Sequence, residues 1–302
     1  MDITAIVLIA ISALLHAGWN CAIKHDDPSV AFFLLASTAG ALCLTPALIV
    51  WRHALGAFPN GVWMLMVLTG LCQAAYYVGL AGAYRRGHLS VIYPIVRASP
   101  VIVVTIITIL LGRRDQLSTQ CVVGIALVAA GCVFVPMARF SDIRLRNYLN
   151  VAGLCSAVVA LGTSGYSMID DQALRELRNA PEMSVGNTVA VLMYYCLSSL
   201  TSSLWLSMYV LARRGDRGNL RAILRAGLGR PVITGVVMIL GYTLVLVALA
   251  FAKNVSYVVA FRQLSIPIGT LLGVCFLREP RHVPKFVGTA VVCMDLVLVG
   301  TG

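Results

Sequence analysis

Two arginines, Arg97 and Arg262, lie deep inside apolar stretches of this 302-residue chain. If the stretches are helices, each arginine is roughly two turns or more from the nearest end, at about 3.6 residues per turn. A guanidinium at that depth in a membrane is costly, and it persists where it faces a cavity or a partner. Its planar fork pairs with carboxylate and phosphate groups. The two residues therefore predict a site for an anionic group; alternatively, they brace helices through backbone carbonyls or extend to the membrane surface.

Polar side chains accompany both arginines at helical spacing. Ser90, Tyr93 and Arg97 are three and four residues apart, so they share one face of a helix. Ser265 lies on the corresponding stripe that carries Arg262. We therefore predict that the two stripes face one substrate cavity.

A third polar strip lies in the first apolar stretch. Ser12, His16 and Asn20 are four residues apart, and Trp19 lies beside them. One interpretation is a cavity wall in which His16 titrates near neutral pH. The alternative is a helix–helix contact in which a neutral histidine hydrogen-bonds a carbonyl.

The chain lacks the common motifs of hydrolases, zinc proteases and nucleotide-binding proteins. Its nine cysteines lie in or beside apolar stretches and are not paired at metal-ligand spacing, so they are interpreted as small buried apolar residues. We therefore predict that the protein is not an enzyme, and we expect no catalytic residue, no metal site and no cofactor.

Few acidic residues lie near the apolar stretches. Asp295 is the one acid inside a stretch, and we expect it to reach water near the chain end. Glu279 follows a stretch and is predicted to cap a helix or to pair with loop arginines. The segment from Asp170 to Ser184 is predicted to be a connection, with its charged residues in a solvated loop or a short surface helix.

Composition indicates an integral membrane protein. Hydrophobic residues make up 59% of the chain and charged residues 12%, with a mean hydropathy of +0.88; soluble domains carry roughly 25% charged residues. Continuously apolar stretches favour helices, because lipid offers no partner for backbone groups. Ten transmembrane helices are predicted. The first five spans are Ile3–Ile23, Ser29–Trp51, Val62–Tyr84, Leu89–Leu111 and Ser118–Met137. The last five are Tyr148–Ile169, Val185–Leu211, Val232–Ala252, Val255–Leu277 and Pro284–Gly300.

The two halves of the chain resemble each other. The polar segment 138–147 divides the spans into two groups of five, which predicts repeats at residues 1–146 and 147–302. Segment 16–20 aligns with 163–167, and Arg97 aligns with Arg262. Because five is odd, the repeats must enter the membrane in opposite directions, as in many alternating-access transporters. The predicted substrate-binding residues are polar, aromatic or cationic: Arg97, Arg262, Tyr93, Ser90, His16, Trp19, Asn20, Tyr166, Ser265 and Gln263.

Several segments resemble drug/metabolite transporters of the EamA type. Residues 84–94, followed by Arg97, are similar to the fourth helix of that family, and residues 257–279 are similar to its ninth. Segment 15–20 also resembles a branch found beside phosphonate-utilisation genes. The sequence departs from the family at Arg114-Asp115, where Gly-Glu is usual, and at Gln263, where glutamate often follows the arginine. The resemblance implies ten helices in two inverted repeats, with a central cavity lined by helices 1, 3, 4, 6, 8 and 9.

Basic residues concentrate on one side of the predicted membrane topology. The chain has 23 Lys and Arg against 12 Asp and Glu, a formal charge of +11. If Lys285 at the start of the last span is included, 15 of the Lys and Arg residues outside the deep positions lie on the side of the first loop and 6 on the side of the termini. The positive-inside rule therefore predicts that both termini are outside, whereas many members of the resembled family keep them in the cytoplasm. Clusters between apolar stretches argue against nucleic-acid binding.

These features together predict a secondary transporter in the plasma (inner) membrane of a bacterium. Its expected partners are the lipid bilayer and a small anionic or zwitterionic metabolite, such as an amino acid, an organic acid or a phosphonate, and the protein is a monomer or a homodimer. The alternative is a lipid-phosphate flippase or a membrane enzyme acting on a lipid headgroup, which a lateral cleft would favour. A purely structural membrane subunit would not need two deep arginines.

Overall fold

The computed structural model describes residues 3–25, 28–110, 112, 119–141, 148–181, 183–250 and 264–301. Within these ranges the chain forms α-helices and one short 3₁₀ helix, Arg52–Ala57, and no strand. Two of the predicted site residues, Arg262 and Gln263, lie outside the described residues, as does the side chain of Asp295.

The helices follow the predicted apolar stretches. In the first half of the chain they are α1 (Ile3–His25), α2 (Val30–Val50), α3 (Asn60–Arg86), α4 (Leu89–Leu110) and α5 (Thr119–Phe134). In the second half they are α6 (Val151–Arg178), α7 (Asn187–Ala212), α8 (Arg214–Ala226), α9 (Gly229–Ala250), α10 (Ser265–Cys275) and α11 (Val283–Thr301).

Several of these helices can cross a membrane. Among the described residues, α1, α2, α3, α4, α6 and α7 are long and apolar enough, which makes 6 candidate spans. The pair α8 and α9 gives a seventh if it is counted as one span, although the pair is bent by 98°. Shorter apolar helices lie in α5, α10 and α11. The predicted all-α, multi-pass membrane class is therefore supported, whereas the ten spans and the inverted repeats stay predictions.

The prediction of a connection beginning at Asp170 is wrong. Helix α6 continues through this residue to Arg178. Asp171 and Arg175 are one turn apart and form an ion pair of 2.9 Å on the exposed face, which supports the helix. On the opposite face, Ala173 and Leu177 are buried in an apolar cluster. Hydropathy alone could not show this extension, because the helix continues beyond the apolar stretch.

The second predicted connection, from residue 212 to 231, contains helix α8. It has no buried residue. Three of its arginines recur at four-residue spacing, at Arg217, Arg221 and Arg225. A leucine directly precedes each of the last two, at Leu220 and Leu224. Its basic and apolar residues, together with the sharp bend between α8 and α9, are typical of a helix that lies in the membrane interface.

The chain divides into two compact units by packing. Unit 1 contains Met1–Pro28, Gly82–Ala160 and Leu240–Gly302. Unit 2 contains Ser29–Ala81 and Leu161–Ile239. This division follows spatial packing and does not test the predicted repeats 1–146 and 147–302, which stay a prediction.

In unit 1, small residues allow close helix packing. A Cβ on Gly131 of α5 would lie 2.8 Å from the carbonyl oxygen of Gly288 in α11. Gly269 of α10 packs against the ring of Tyr93, and a Cβ on Gly273 would lie 2.8 Å from the backbone nitrogen of Ser90. The order of these contacts shows that α10 runs antiparallel to α4.

In unit 2, glycines again allow close approach between helices. A Cβ on Gly162 of α6 would lie 2.8 Å from the carbonyl oxygen of Cys72 in α3, and one on Gly40 would lie 3.2 Å from that of Gly235. An apolar cluster around Phe58 lies where the 3₁₀ helix meets α3, α6 and α7. The absence of a side chain at these glycines thus lets the helices of this unit pack closely.

Candidate functional site

Arg97 lies on α4 in unit 1, and its side chain is half-buried. Its Nε atom is fully buried and makes no hydrogen bond to any residue that the structure describes. A buried donor without a partner costs about 1–3 kcal/mol, and more when it belongs to a charged group. An acceptor brought by a ligand would remove that cost.

Ser265 begins α10 and is fully buried. Within the described part of the chain, its Oγ also has no hydrogen-bond partner. Tyr93 packs on Gly269 where α4 and α10 run antiparallel. Arg97 is one turn beyond Tyr93, and Ser265 is one turn before Gly269. The two unsatisfied groups therefore lie at the same level on two packed helices.

Helix α1 adds an aromatic group beside this level. The ring centroids of His16 and Tyr93 are 6.0 Å apart, and those of His16 and Trp19 are 5.1 Å apart in an edge-on arrangement. The indole Nε1 of Trp19 donates to Nδ1 of His16 over 3.2 Å. This bond requires an unprotonated Nδ1, so the imidazole can donate a hydrogen bond only from Nε2.

Asn20 has a structural role in this arrangement. The Tyr84 hydroxyl donates to Asn20 Oδ1 over 2.6 Å, and Asn20 Nδ2 donates to the carbonyl oxygen of His16 over 2.7 Å. Lys24 also donates to the carbonyl oxygen of Tyr84. These bonds attach α1 to the end of α3. For Asn20 the structure therefore favours the helix–helix contact over a cavity wall.

Ser90 belongs to a polar cluster at the start of α4. The carboxylate of Glu279 accepts from the backbone nitrogens of Leu89, over 2.5 Å, and Ser90, over 2.8 Å. A carboxylate is stabilised there because the first N–H groups of a helix carry partial positive charge. The predicted capping role of Glu279 is thus confirmed.

A buried lysine, which the sequence analysis missed, completes this cluster. Lys285 is 1% exposed, and its Nζ donates to Ser90 Oγ over 2.7 Å and to the carbonyl oxygen of Pro280 over 2.8 Å. The Ser90 hydroxyl therefore already accepts a protein hydrogen bond. The sequence did contain a signal for this buried lysine. It stands at the start of an apolar stretch, six residues after the capping glutamate.

Tyr166 lies in unit 2, where its ring is perpendicular to that of Tyr76 with centroids 6.2 Å apart. A polar cluster that the sequence did not predict lies one turn further along α6 and is formed by Asp170, Thr69 and Tyr194. Unit 1 thus holds Arg97, Tyr93, Ser90, His16, Trp19, Asn20 and Ser265 from the predicted set. Within the ranges described, no group of three or more His, Cys, Asp or Glu residues could hold a metal ion.

Comparison with known proteins adds no family. No protein-family model matches the chain. A search of the curated proteins finds no match either. The resemblance to EamA-type transporters is therefore a prediction, and the geometry around Arg97 carries the functional argument.

Proposed function

We propose that the protein is a secondary transporter that moves a small anionic or zwitterionic metabolite across the membrane by alternating access. The observation that carries this proposal is the buried Arg97 Nε, which has no hydrogen-bond partner among the described residues. A cation in an apolar span is a functional site by default, because its burial is otherwise unfavourable.

The chemistry of the two unsatisfied groups selects the ligand. Arg97 donates only, and Ser265 can donate through its hydroxyl. A carboxylate or phosphonate has several acceptor positions and a negative charge, so it can accept from both groups at once. Tyr93 and His16 supply aromatic surface beside that position. A solute with an anionic head and a small organic body fits these features.

The local helix geometry supports movement around the arginine. Pro94 and Pro100 lie inside α4 on either side of Arg97. A proline has no backbone N–H, so one carbonyl in the preceding turn loses its helical partner, and the helix can bend there. Bending at these two points would turn the guanidinium relative to its neighbours, which alternating access requires.

Solute flux in reconstituted vesicles tests the proposal. Vesicles that contain the purified protein are preloaded with an amino acid, an organic acid or a phosphonate, and the exchange of labelled solute is measured. Arg97→Gln removes a charge-assisted hydrogen bond of about 1.5–3 kcal/mol, so we expect the half-saturating concentration to rise about 10- to 150-fold. Arg86→Gln, at an exposed arginine that ends α3, is the matched control.

Two results would overturn the proposal. Unchanged exchange in the Arg97→Gln protein would make the guanidinium a structural brace. Movement of labelled phospholipid between leaflets, without exchange of any soluble anion, would instead support the flippase alternative. Thermal unfolding of each purified variant separates loss of function from loss of folding.

A further inference from the structure

Asp170 of α6 is held by two buried hydroxyl groups in unit 2. Its Oδ1 accepts from Thr69 Oγ1 of α3 and from Tyr194 Oη of α7, each over 2.7 Å. The hydroxyl oxygens of Thr69 and Tyr194 are themselves 3.1 Å apart. Thr69 is 0% exposed and Tyr194 2%. Three oxygen atoms therefore form a triangle whose every edge is within hydrogen-bond distance.

This triangle accommodates an additional proton without any movement of heavy atoms. In the ionised state, both hydroxyls donate to the carboxylate, and the edge between Thr69 and Tyr194 carries no hydrogen. When Oδ1 takes up a proton, it donates to Thr69, Thr69 donates to Tyr194, and Tyr194 still donates to Oδ1. Each oxygen then donates once and accepts once. Oδ1 and the two hydroxyl groups thus keep their hydrogen bonds in both protonation states.

The helices that hold Asp170 supply no positive charge. Helix α7 contains no charged residue, and α3 contains none before Arg85. Two titratable groups of these helices interact with Asp170, namely Cys72 of α3 and Tyr194 of α7, and thiol and phenol groups are ordinarily neutral at physiological pH.

Exposed charged residues lie on α6 and on the 3₁₀ helix. On α6 itself, the neighbouring Asp171 pairs with Arg175 on the exposed surface. Arg52 and His53 of the 3₁₀ helix are exposed. Ionised Asp170 is consequently a negative charge without an ion-pair partner in the described part of the chain.

An apolar layer covers one side of the polar triangle formed by Asp170, Thr69 and Tyr194. Phe58, Met66, Leu177 and Met193 belong to a cluster of buried residues that also includes Tyr194. On the other side, Tyr166 is one turn before Asp170 on α6 and Thr163 two turns before. The Thr163 hydroxyl is buried and makes no hydrogen bond to a described residue. Polar groups therefore lead away from Asp170 along α6, opposite to the apolar layer.

We infer that Asp170, held by Thr69 and Tyr194, binds a transported proton and couples solute movement to the proton gradient. Proton binding depends only on the geometry of unit 2. The coupling rests on the proposed transport function. The two parts need separate measurements, so that failure of one does not conceal the other.

Infrared difference spectroscopy of the whole purified protein tests proton binding. A protonated carboxyl group in a buried site gives a carbonyl band separate from that of a carboxylate, and this band should titrate with pH. Asp170→Asn should remove the band, whereas Asp171→Asn, at the adjacent exposed acid, should leave it. Tyr194→Phe should shift its frequency, because the carboxyl loses one hydrogen bond.

Asparagine keeps an oxygen acceptor for both hydroxyls, so the Asp170→Asn protein should fold. A titrating band that survives in this variant would overturn the assignment. A spectral change that depends on Na⁺ concentration and not on pH would identify a metal cation as the ligand and would equally overturn it.

Solute accumulation in vesicles tests the coupling. With one proton per solute, a gradient of one pH unit should drive about tenfold accumulation, since one unit corresponds to about 1.36 kcal/mol. In the Asp170→Asn protein, we expect exchange to continue and gradient-driven accumulation to vanish, while Asp171→Asn behaves as wild type. If the wild-type protein exchanges solute but does not accumulate it in response to the pH gradient, the coupling is refuted. A titrating Asp170 band without flux of any solute refutes the proposed transport function and leaves proton binding standing.

Discussion

Replacing Ser265 by alanine should change stability and ligand binding in opposite directions. The serine is 0% exposed, and its Oγ has no hydrogen-bond partner among the described residues. An unsatisfied buried hydroxyl costs about 1–3 kcal/mol, so its removal should stabilise the ligand-free protein by about 1 kcal/mol or more. If the hydroxyl donates to a bound anion, the same change should lose a neutral hydrogen bond of about 0.5–1.5 kcal/mol and weaken binding about 2- to 12-fold.

The assay combines thermal unfolding of the purified protein with the half-saturating concentration for exchange in vesicles. Ser156→Ala is the matched control, because Ser156 is also a buried serine of unit 1 but donates to the carbonyl oxygen of Ala152 over 2.9 Å. That variant should gain no stability and should leave exchange unchanged. A Ser265→Ala protein that is less stable than wild type and binds solute equally well would refute the reasoning, since the hydroxyl would then have a structural partner.

Two further predictions concern the capping cluster and the amphipathic helix. Glu279→Gln should lower the free energy of unfolding by about 2 kcal/mol, because an uncharged amide accepts only one of the two backbone bonds well. The control in thermal unfolding is Glu176→Gln, at an acid that accepts an exposed hydrogen bond from Gln172. Equal stability of the two variants would refute the capping role. Leu224→Trp in α8 should place the indole within reach of quenching by brominated lipids, and unquenched fluorescence would show that α8 lies in water.

The apolar helices were predictable because their cause is local. Each predicted span needs only a run of apolar residues, and α1 and α4 begin at the predicted Ile3 and Leu89. The ends were less predictable, since α1 continues to His25 and α6 to Arg178. Backbone hydrogen bonding does not stop where the apolar residues stop, so hydropathy underestimates helices that extend beyond the lipid.

The polar clusters were harder to predict because their partners are distant in sequence. Helical spacing placed Ser90 on the face of Arg97, but it could not show that Lys285 donates to its hydroxyl. Asp170 likewise obtains its two partners from other helices, and no local pattern connects it with Thr69. For Glu279 the sequence predicted a helix cap or a pairing with loop arginines, but it did not show that the capped helix is α4.

The contact between Gly131 and Gly288 restricts how unit 1 can rearrange. A Cβ on Gly131 would lie 2.8 Å from the carbonyl oxygen of Gly288, and one on Gly288 would lie 2.7 Å from that of Gly131. The two backbones thus approach closely at this point, and a rotation that brought a larger residue into the contact would produce a steric clash. We therefore expect α5 and α11 to move as one rigid body, so a covalent cross-link between them should leave the activity of the protein unchanged.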